Sequence, residues 1–429
     1  MNKSQLIAVS IAACASCVPG LALAESQASI ESANACYGSF DSKAYEDAIK
    51  NCEKAASYKD AQAVNLLGAM YENGWGTQQD YSKAADYYKQ AAGADLADAA
   101  NNLANLYMEG KGVTADENDA HFYYEKAARL GSNDANFSLG VMASDPKSSY
   151  YSKEQAEKYF RLSADAGNAE AQLSVAEILL EQNYLNDALP YLEKSVAGNN
   201  PRAMEILAGF YLAGQGVNKD PVKAFELYRK SADLDNADSA LAVARMYRDG
   251  AGVGINFVEA LKYFETAAKA KLQDAMIEGG MMYLKGQGTD PNALKGMELI
   301  QRAASQNNLA ALRLLGELYS NGKYVPISAE KSFAYYYKGA KMGDAECQNF
   351  AGLMLLNGAG TPKDPVEGVN WLIKSAEKKF VPAMMNLADV YYTDKYGYRD
   401  HEASKRYLRM ASELGNPDTQ ELLMQRDYE

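Results

Sequence analysis

A repeat of nearly constant length runs through most of the chain and constrains its fold more than any other feature. A small residue recurs every 36 positions, except for one interval of 32 between Ala176 and Ala208. The ten positions are Gly68, Ala104, Gly140, Ala176, Ala208, Ala244, Gly280, Gly316, Gly352 and Ala388. Self-similarity at a period of this length is typical of stacked supersecondary units, so the sequence predicts a repeat array.

Both halves of each repeat place apolar residues at helical spacing. In the first repeat, Ala63 and Tyr71 flank the small residue, and the aromatic pair Tyr87-Tyr88 follows in the second half. Residues three and four positions apart share a helix face, so each repeat is predicted to be a helix, a corner and a second helix. One such hairpin cannot bury its apolar face alone, whereas stacked hairpins can. The predicted fold class is therefore all-α, with the hairpins stacked into an α/α-solenoid.

The motif Gly-x-Gly, which can mark a phosphate-binding loop, recurs between the two halves of the repeat. Its six copies are Gly74/Gly76, Gly110/Gly112, Gly214/Gly216, Gly250/Gly252, Gly286/Gly288 and Gly358/Gly360. A phosphate-binding loop follows a strand, and each copy here follows a helical stretch. Glycine after a helix ends it in the left-handed conformation. The motif is therefore predicted to be a structural corner. The third and fourth repeats lack it.

The features of one repeat combine into the pattern A-x-x-x-L-G-x-x-Y-x-x-G-x-G-x-x-x-D-x-x-x-A-x-x-Y-Y-x-x-A-A. This pattern resembles the Sel-one-like repeat (SLR) family of the tetratricopeptide superfamily. The resemblance covers roughly residues 60–415 and implies a right-handed superhelix of about ten helix-turn-helix repeats. It also implies a scaffold that binds proteins in a concave groove, in the bacterial envelope or in host interaction. The partner's identity does not follow from the fold.

The N-terminus has the pattern of a secretory signal peptide. Lys3 precedes the apolar stretch Leu6–Val18, and Ala22-Leu23-Ala24 forms a small-x-small cleavage site. We expect a periplasmic or secreted protein. The alternative is cleavage before Cys14, which would give a lipid-anchored protein. The predicted organisation is a signal peptide at 1–24, an N-terminal capping hairpin at 25–60, the repeat solenoid at 61–415 and a C-terminal tail or cap at 416–429.

Charge and motif content argue against several classes of function. The net charge of −13 disfavours binding to nucleic acid or to anionic membranes. The two histidines, His121 and His401, lie far apart, and His401-Glu402 lacks the second histidine of a zinc-protease motif. No catalytic, cofactor-binding or metal-binding residue is predicted, so the chain is not expected to be an enzyme. The resemblance leaves a β-lactamase-like hydrolase as an alternative, although the chain lacks the cysteine pair in every repeat of such relatives.

Three cysteines follow the predicted cleavage site. Cys36 and Cys52 flank the turn of the first, atypical hairpin, and an exported protein meets an oxidising compartment. We predict a disulfide between them that holds the end of the array. Cys347 takes a repeat position that alanine or serine holds elsewhere, so it is predicted to be a small buried thiol.

The candidate binding residues lie at three positions on the first helix of each repeat, which share one face and vary freely between repeats. In the later repeats, apolar residues at these positions predict a contact surface for a partner protein, interrupted by charged residues that would orient the partner. The alternative is that irregular curvature buries these side chains. A further alternative for the partner is peptidoglycan or another polysaccharide. The predicted groove residues are Ile277, Met281, Leu284, Arg313, Glu317, Leu353, Leu356, Met385 and Tyr392.

Overall fold

The structure is a computed structural model, and it describes residues 19–415 and 417–427. These residues form helices, with no strand among them. Most of the predicted signal peptide, residues 1–18, lies outside the described residues. No described helix combines the length and apolar character needed to span a membrane. The chain divides into two compact units, Met1–Ala203 and Met204–Glu429.

The first unit is a series of helices in which each of α1–α9 contacts the next one along the chain. Apart from α1, each of these helices has 12 or 13 residues, as a repeat of nearly constant length requires. The helices are α1 (Pro19–Asp41), α2 (Tyr45–Ser57), α3 (Ala61–Asn73), α4 (Tyr81–Gly93), α5 (Ala97–Glu109), α6 (Glu117–Arg129), α7 (Asn133–Ser144), α8 (Lys153–Asp165), α9 (Ala169–Glu181) and α10 (Leu185–Ala197).

The second unit continues the same pattern, and each of α12–α22 contacts its successor. The segment predicted as a C-terminal tail or cap contains the last helix, which packs on α22. The helices are α11 (Pro201–Ala213, which begins before the division), α12 (Pro221–Asp233), α13 (Ala237–Asp249), α14 (Phe257–Lys269), α15 (Gln273–Lys285), α16 (Ala293–Ser305), α17 (Leu309–Asn321), α18 (Ala329–Lys341), α19 (Ala345–Asn357), α20 (Pro365–Glu377), α21 (Val381–Tyr392), α22 (His401–Glu413) and α23 (Asp418–Asp427).

The corner between α3 and α4 shows why Gly-x-Gly recurs. Gly74 ends α3 with φ of 70°, and the Asp80 carboxylate caps α4 by accepting from the Lys83 amide at 3.0 Å. Gly76, with φ of 69°, lies against the preceding hairpin, where an added Cβ would stand 2.4 Å from the Tyr45 carbonyl oxygen. The motif is a structural corner, as predicted, because left-handed backbone and close approach both favour glycine.

The small residues of the repeat let the two helices of a hairpin approach closely. A Cβ at Gly68 would come within 2.6 Å of the Tyr88 ring, which is buried against α3. The Tyr88 hydroxyl donates to Glu72 at 2.5 Å, so the buried ring keeps a polar partner. A small residue on one helix therefore faces a large side chain on the other, which is an aromatic ring in this hairpin and an aliphatic chain in others, such as that of Gly352 and Leu372.

The first hairpin, formed by α1 and α2, contains the predicted disulfide. The sulfurs of Cys36 and Cys52 are 1.99 Å apart, and both residues are fully buried. Cys347 is a free, buried thiol on α19. Burial raises the pKa of the Cys347 thiol, and the neighbouring Asp344 carboxylate adds to the effect. A thiol in this state is a poor nucleophile at neutral pH.

Candidate functional site

The predicted groove residues lie on the first helices of consecutive repeats in the second unit. We call the seven that reach the surface the first-helix face, and five of the seven are apolar residues that are partly exposed. The first-helix face consists of Ile277, Met281, Arg313, Glu317, Leu353, Met385 and Tyr392.

Two predicted groove residues are not on this face, and the prediction is wrong for them. Leu284 and Leu356 have exposed fractions of 3% and 0%. Each side chain turns toward the second helix of its own hairpin, where Gly296 or Gly368 has no side chain. In most other repeats the position of Gly296 and Gly368 on the second helix holds alanine or serine. These two glycines therefore leave space for a leucine side chain in the core.

An ion network ties α13 to α15 beside the first-helix face. Arg245 Nε lies 2.9 Å from Glu278 Oε1, and Arg248 Nη1 lies 2.6 Å from Glu278 Oε2. Arg248 also contacts Asp249, with Nε to Oδ1 at 2.7 Å. Hydrogen bonds to Glu278 raise the pKa of Arg245, and the hydrogen bond from Arg248 lowers the pKa of Asp249. The network therefore ties the two helices together through hydrogen-bonded ion pairs.

Arg313 does not interrupt the face as a free charge. Its Nη1 lies 3.0 Å from Glu346 Oε2 on α19, and its Nε lies 3.9 Å from Asp344 Oδ2. The prediction that Arg313 would orient a partner's charged group therefore needs correction, because the guanidinium already ties two repeats together. Glu317, one turn further along α17, is exposed.

The acidic partners of these arginines were missed, although the sequence contains a signal for them. Arg245 and Glu278 are 33 residues apart, and so are Arg313 and Glu346. In a 36-residue repeat, a residue 33 positions later lies on the first helix of the next repeat, about one helical turn before the equivalent position. Opposite charges at that separation therefore predict a pair between neighbouring repeats.

The apolar part of the face consists of separate side chains between these ion pairs. Ile277 and Met281 stand on either side of Glu278 on α15. Leu353 and Met385 pack partly against the core of the last repeats. The ring of Phe350, which the prediction did not include, is exposed at its edge and stacks on Tyr336 with centroids 4.8 Å apart. The arrangement supplies shape and apolar contact without an activated nucleophile.

An open cleft of about 530 Å³ lies in the first unit, where the corner between α9 and α10 is reduced to Gln182–Tyr184. The four residues missing here would cover the start of α8 in a regular repeat. Arg161 lies in the cleft, with Nε 2.9 Å from Glu157 Oε1 and Nη1 3.1 Å from the Tyr191 hydroxyl. The exposed Tyr184 ring and the polar groups around it give this cleft a mixed aromatic and polar lining.

The described residues contain no group of three or more His, Cys, Asp or Glu side chains that could hold a metal ion.

Comparison with known families and structures gives one consistent result. A family model described as the Sel1 repeat matches nine segments: 61–95, 97–132, 134–168, 201–236, 237–272, 273–308, 309–344, 345–380 and 381–416. Residues 169–200, which contain the shortened corner, fall between two matches.

One similar solved structure is that of c5321, a protective antigen present in uropathogenic Escherichia coli strains that displays an SLR fold. Its sequence is 27% identical to this chain. The match covers 87% of this chain and 81% of that one, with a TM-score of 0.75. A Sel1 repeat protein from Oxalobacter formigenes is 30% identical over 56% of this chain and 99% of its own, with a TM-score of 0.48. Cysteine-rich protein B from Helicobacter pylori is 30% identical over 27% of this chain and 89% of its own, with a TM-score of 0.23. No curated protein matches the chain.

Proposed function

The chain belongs to the Sel1 repeat family, and from that premise we propose that it is an exported scaffold that binds a partner protein along its first-helix face. Solenoids of this repeat typically serve as protein-interaction scaffolds and are generally not enzymes. The partner would lie in the groove that the first helices line in this superfamily. Recognition would depend on shape and apolar contact.

The observation that carries this proposal is the set of partly exposed apolar side chains on three of four successive first helices, α15, α19 and α21. Ile277 and Met281 on α15, Leu353 on α19 and Met385 on α21 keep some surface in contact with water. Ion pairs such as Arg313–Glu346 fix the charged side chains between them. A preorganised surface loses less conformational entropy when a partner binds, so the same contact area gives a higher affinity.

Partner capture tests the proposal. The double variant Met281→Glu, Leu353→Glu places two carboxylates in the proposed contact and should weaken binding by at least about tenfold. The matched control is Val141→Glu, which changes an exposed valine at the same repeat position as Met281 but in the first unit. Binding should be measured with the partner that crosslinking in the native envelope identifies. Equal capture by the double variant and the wild type would reject the first-helix face as the binding surface.

Export is a separate part of the proposal. The cleavage site that ends at Ala24 supports a mature protein that begins at Glu25. The likeness to a protective antigen supports a location that host immunity can reach. We expect intact-mass measurement of the protein from cells to give the mass of residues 25–429 without lipid. A lipid-modified N-terminus at Cys14 would instead place the protein on a membrane, and an uncleaved chain would contradict export.

A further inference from the structure

The cleft of the first unit lies where two departures from the repeat coincide. The corner between α9 and α10 has three residues, Gln182–Tyr184, whereas the corner between α11 and α12 has seven, Gly214–Asp220. In addition, α10 has a proline in its interior, Pro190. The equivalent position of the other second helices in the array holds Asp86, Phe122, Lys158, Glu226, Lys262, Glu298, Ala334, Asn370 and Arg406. The repeat therefore requires neither departure.

The shortened corner explains why there is open space. In a regular repeat the second glycine of the corner lies against the start of the preceding second helix, and an added Cβ on Gly112 would stand 2.2 Å from the Tyr81 carbonyl oxygen. The corner before α10 has no such glycine, so the start of α8 is not covered in this way. The resulting cleft of about 530 Å³ lies between α8 and α10, and its volume is within the range of small-molecule sites.

The proline gives α10 an unusual set of backbone groups at the cleft. Pro190 has no N–H, so the helical hydrogen bond to the Asn186 carbonyl, four residues earlier, cannot form. Tyr184 is the N-cap of α10, and its side chain does not cap the first amides of the helix. Tyr184, Asn186 and Pro190 all line the cleft. The start of α10 thus brings a backbone acceptor and backbone donors to the wall of the cleft.

The side chains of the cleft combine a fixed polar group with an open aromatic ring. Arg161 Nη2 lies 2.8 Å from Glu157 Oε1 on the same helix, and Arg161 Nη1 lies 3.1 Å from the Tyr191 hydroxyl on α10. The ring of Tyr184 is 56% exposed. Among the lining residues, the Arg161 guanidinium stands with the carboxylates of Glu157 and Asp187, and the Lys194 ammonium lies over the Tyr191 ring at 5.4 Å. The cleft therefore has no large excess of either charge.

We propose that this cleft binds a short segment of a neutral sugar chain. Each sugar hydroxyl both donates and accepts hydrogen bonds, so it can use the mixed donors and acceptors around Asn186 and Arg161. The apolar C–H face of a sugar ring packs on an aromatic ring such as that of Tyr184. Because the charges nearly balance, the cleft favours a neutral sugar over an acidic or a basic one. This site lies in the first unit and is separate from the first-helix face.

Ligand-observed NMR titration of residues 25–429 tests the proposal. The probes are cellotriose and N-acetylated chitotriose, which are both neutral trisaccharides. The comparison ligands are the deacetylated, cationic form of chitotriose and the anionic trigalacturonic acid. A neutral peptide, acetyl-trialanine amide, is included because a peptide main chain also offers donors and acceptors.

Three variants change separate features of the cleft. Tyr184→Ala removes the exposed ring, and Pro190→Ala restores an N–H that can bond to the Asn186 carbonyl. The third variant replaces Gln182–Tyr184 with the sequence of Gly214–Asp220, which restores the 36-residue interval and should cover the start of α8. The matched control is Tyr58→Ala, which removes another exposed tyrosine of the first unit that does not line the cleft.

At least one neutral trisaccharide should bind the wild type and the Tyr58→Ala control equally, with a Kd of about 1 mM or below. Binding should be at least about fivefold weaker to Tyr184→Ala and to the variant with the longer corner. Pro190→Ala should bind about threefold more weakly or worse although it melts at a higher temperature, because the new helical hydrogen bond occupies the carbonyl. Weaker binding by a more stable protein cannot be attributed to unfolding.

The proposal would be overturned if neither neutral trisaccharide bound at about 10 mM. Equal binding of a charged trisaccharide or of the peptide would also overturn it, as would unchanged binding to Tyr184→Ala or to Pro190→Ala. The double variant Met281→Glu, Leu353→Glu should leave sugar binding unchanged, so this test and that of the first-helix face fail independently.

Discussion

Replacing Gly352 with alanine is expected to destabilise the second unit by about 2 kcal/mol, because α19 and α20 meet backbone to backbone at this point. A Cβ at Gly352 would stand 2.8 Å from the Gly368 carbonyl oxygen and 3.0 Å from Leu372 Cγ. A backbone oxygen cannot move aside as the end of a flexible side chain can. The cost therefore exceeds the gain of about 1 kcal/mol that alanine otherwise brings to a helix interior.

Gly209→Ala is the matched control for this prediction. Gly209 also lies inside a first helix, but an added Cβ would meet only the Tyr228 hydroxyl, at an ordinary 3.5 Å. This variant should be unchanged or more stable by up to about 1 kcal/mol. Urea unfolding of both proteins measures the difference. A loss of stability in the control, or none in Gly352→Ala, would show that close helix approach does not explain the repeated small residues.

The second prediction compares the effect on stability of the same substitution at a core position and at a surface position of α15. Leu284→Glu would bury a carboxylate in the core beside Gly296, and is expected to cost at least about 4 kcal/mol or to prevent folding. Met281→Glu, three residues earlier on α15, places the same group on the partly exposed face and should cost less than about 1 kcal/mol.

Thermal unfolding followed by circular dichroism would compare the two variants. Similar losses of stability would mean that Met281 belongs to the core, and the first-helix face would then be too small to act as a binding surface. The conservative variant Leu284→Met serves as the control, since a swap of similar volume should cost less than about 1.5 kcal/mol.

Most of the fold could be predicted from the sequence because its structural requirements recur along the chain, the small residue ten times and the Gly-x-Gly corner six times. The recurring small residue fixes where helices approach, and the paired glycines fix the corners. The disulfide pair could be proposed since Cys36 and Cys52 flank a single turn. Each of these features depends either on residues close together in the sequence or on a pattern that recurs in every repeat, so the sequence alone is enough to predict it.

The candidate site could be predicted only in part because it depends on contacts between repeats. The helical period placed Met281 and Leu284 on one face, but the missing side chain of Gly296 turns Leu284 into the core. Arg313 looked free in its own helix, and its partner Glu346 lies on the next first helix. The cleft beside Tyr184 depends on how α8 and α10 pack around the shortened corner, which the residue pattern alone does not determine.

The central claim is that the first-helix face contacts a partner protein. Its most direct test is site-specific photocrosslinking in cells that export the full chain, with the photoreactive residue at position 281 or, as a control, at position 141. Mass spectrometry then identifies the crosslinked products. The account predicts one dominant protein crosslinked from position 281, absent from position 141 and lost when Leu353→Glu is added. The same product from both positions, or a product unaffected by Leu353→Glu, would contradict it.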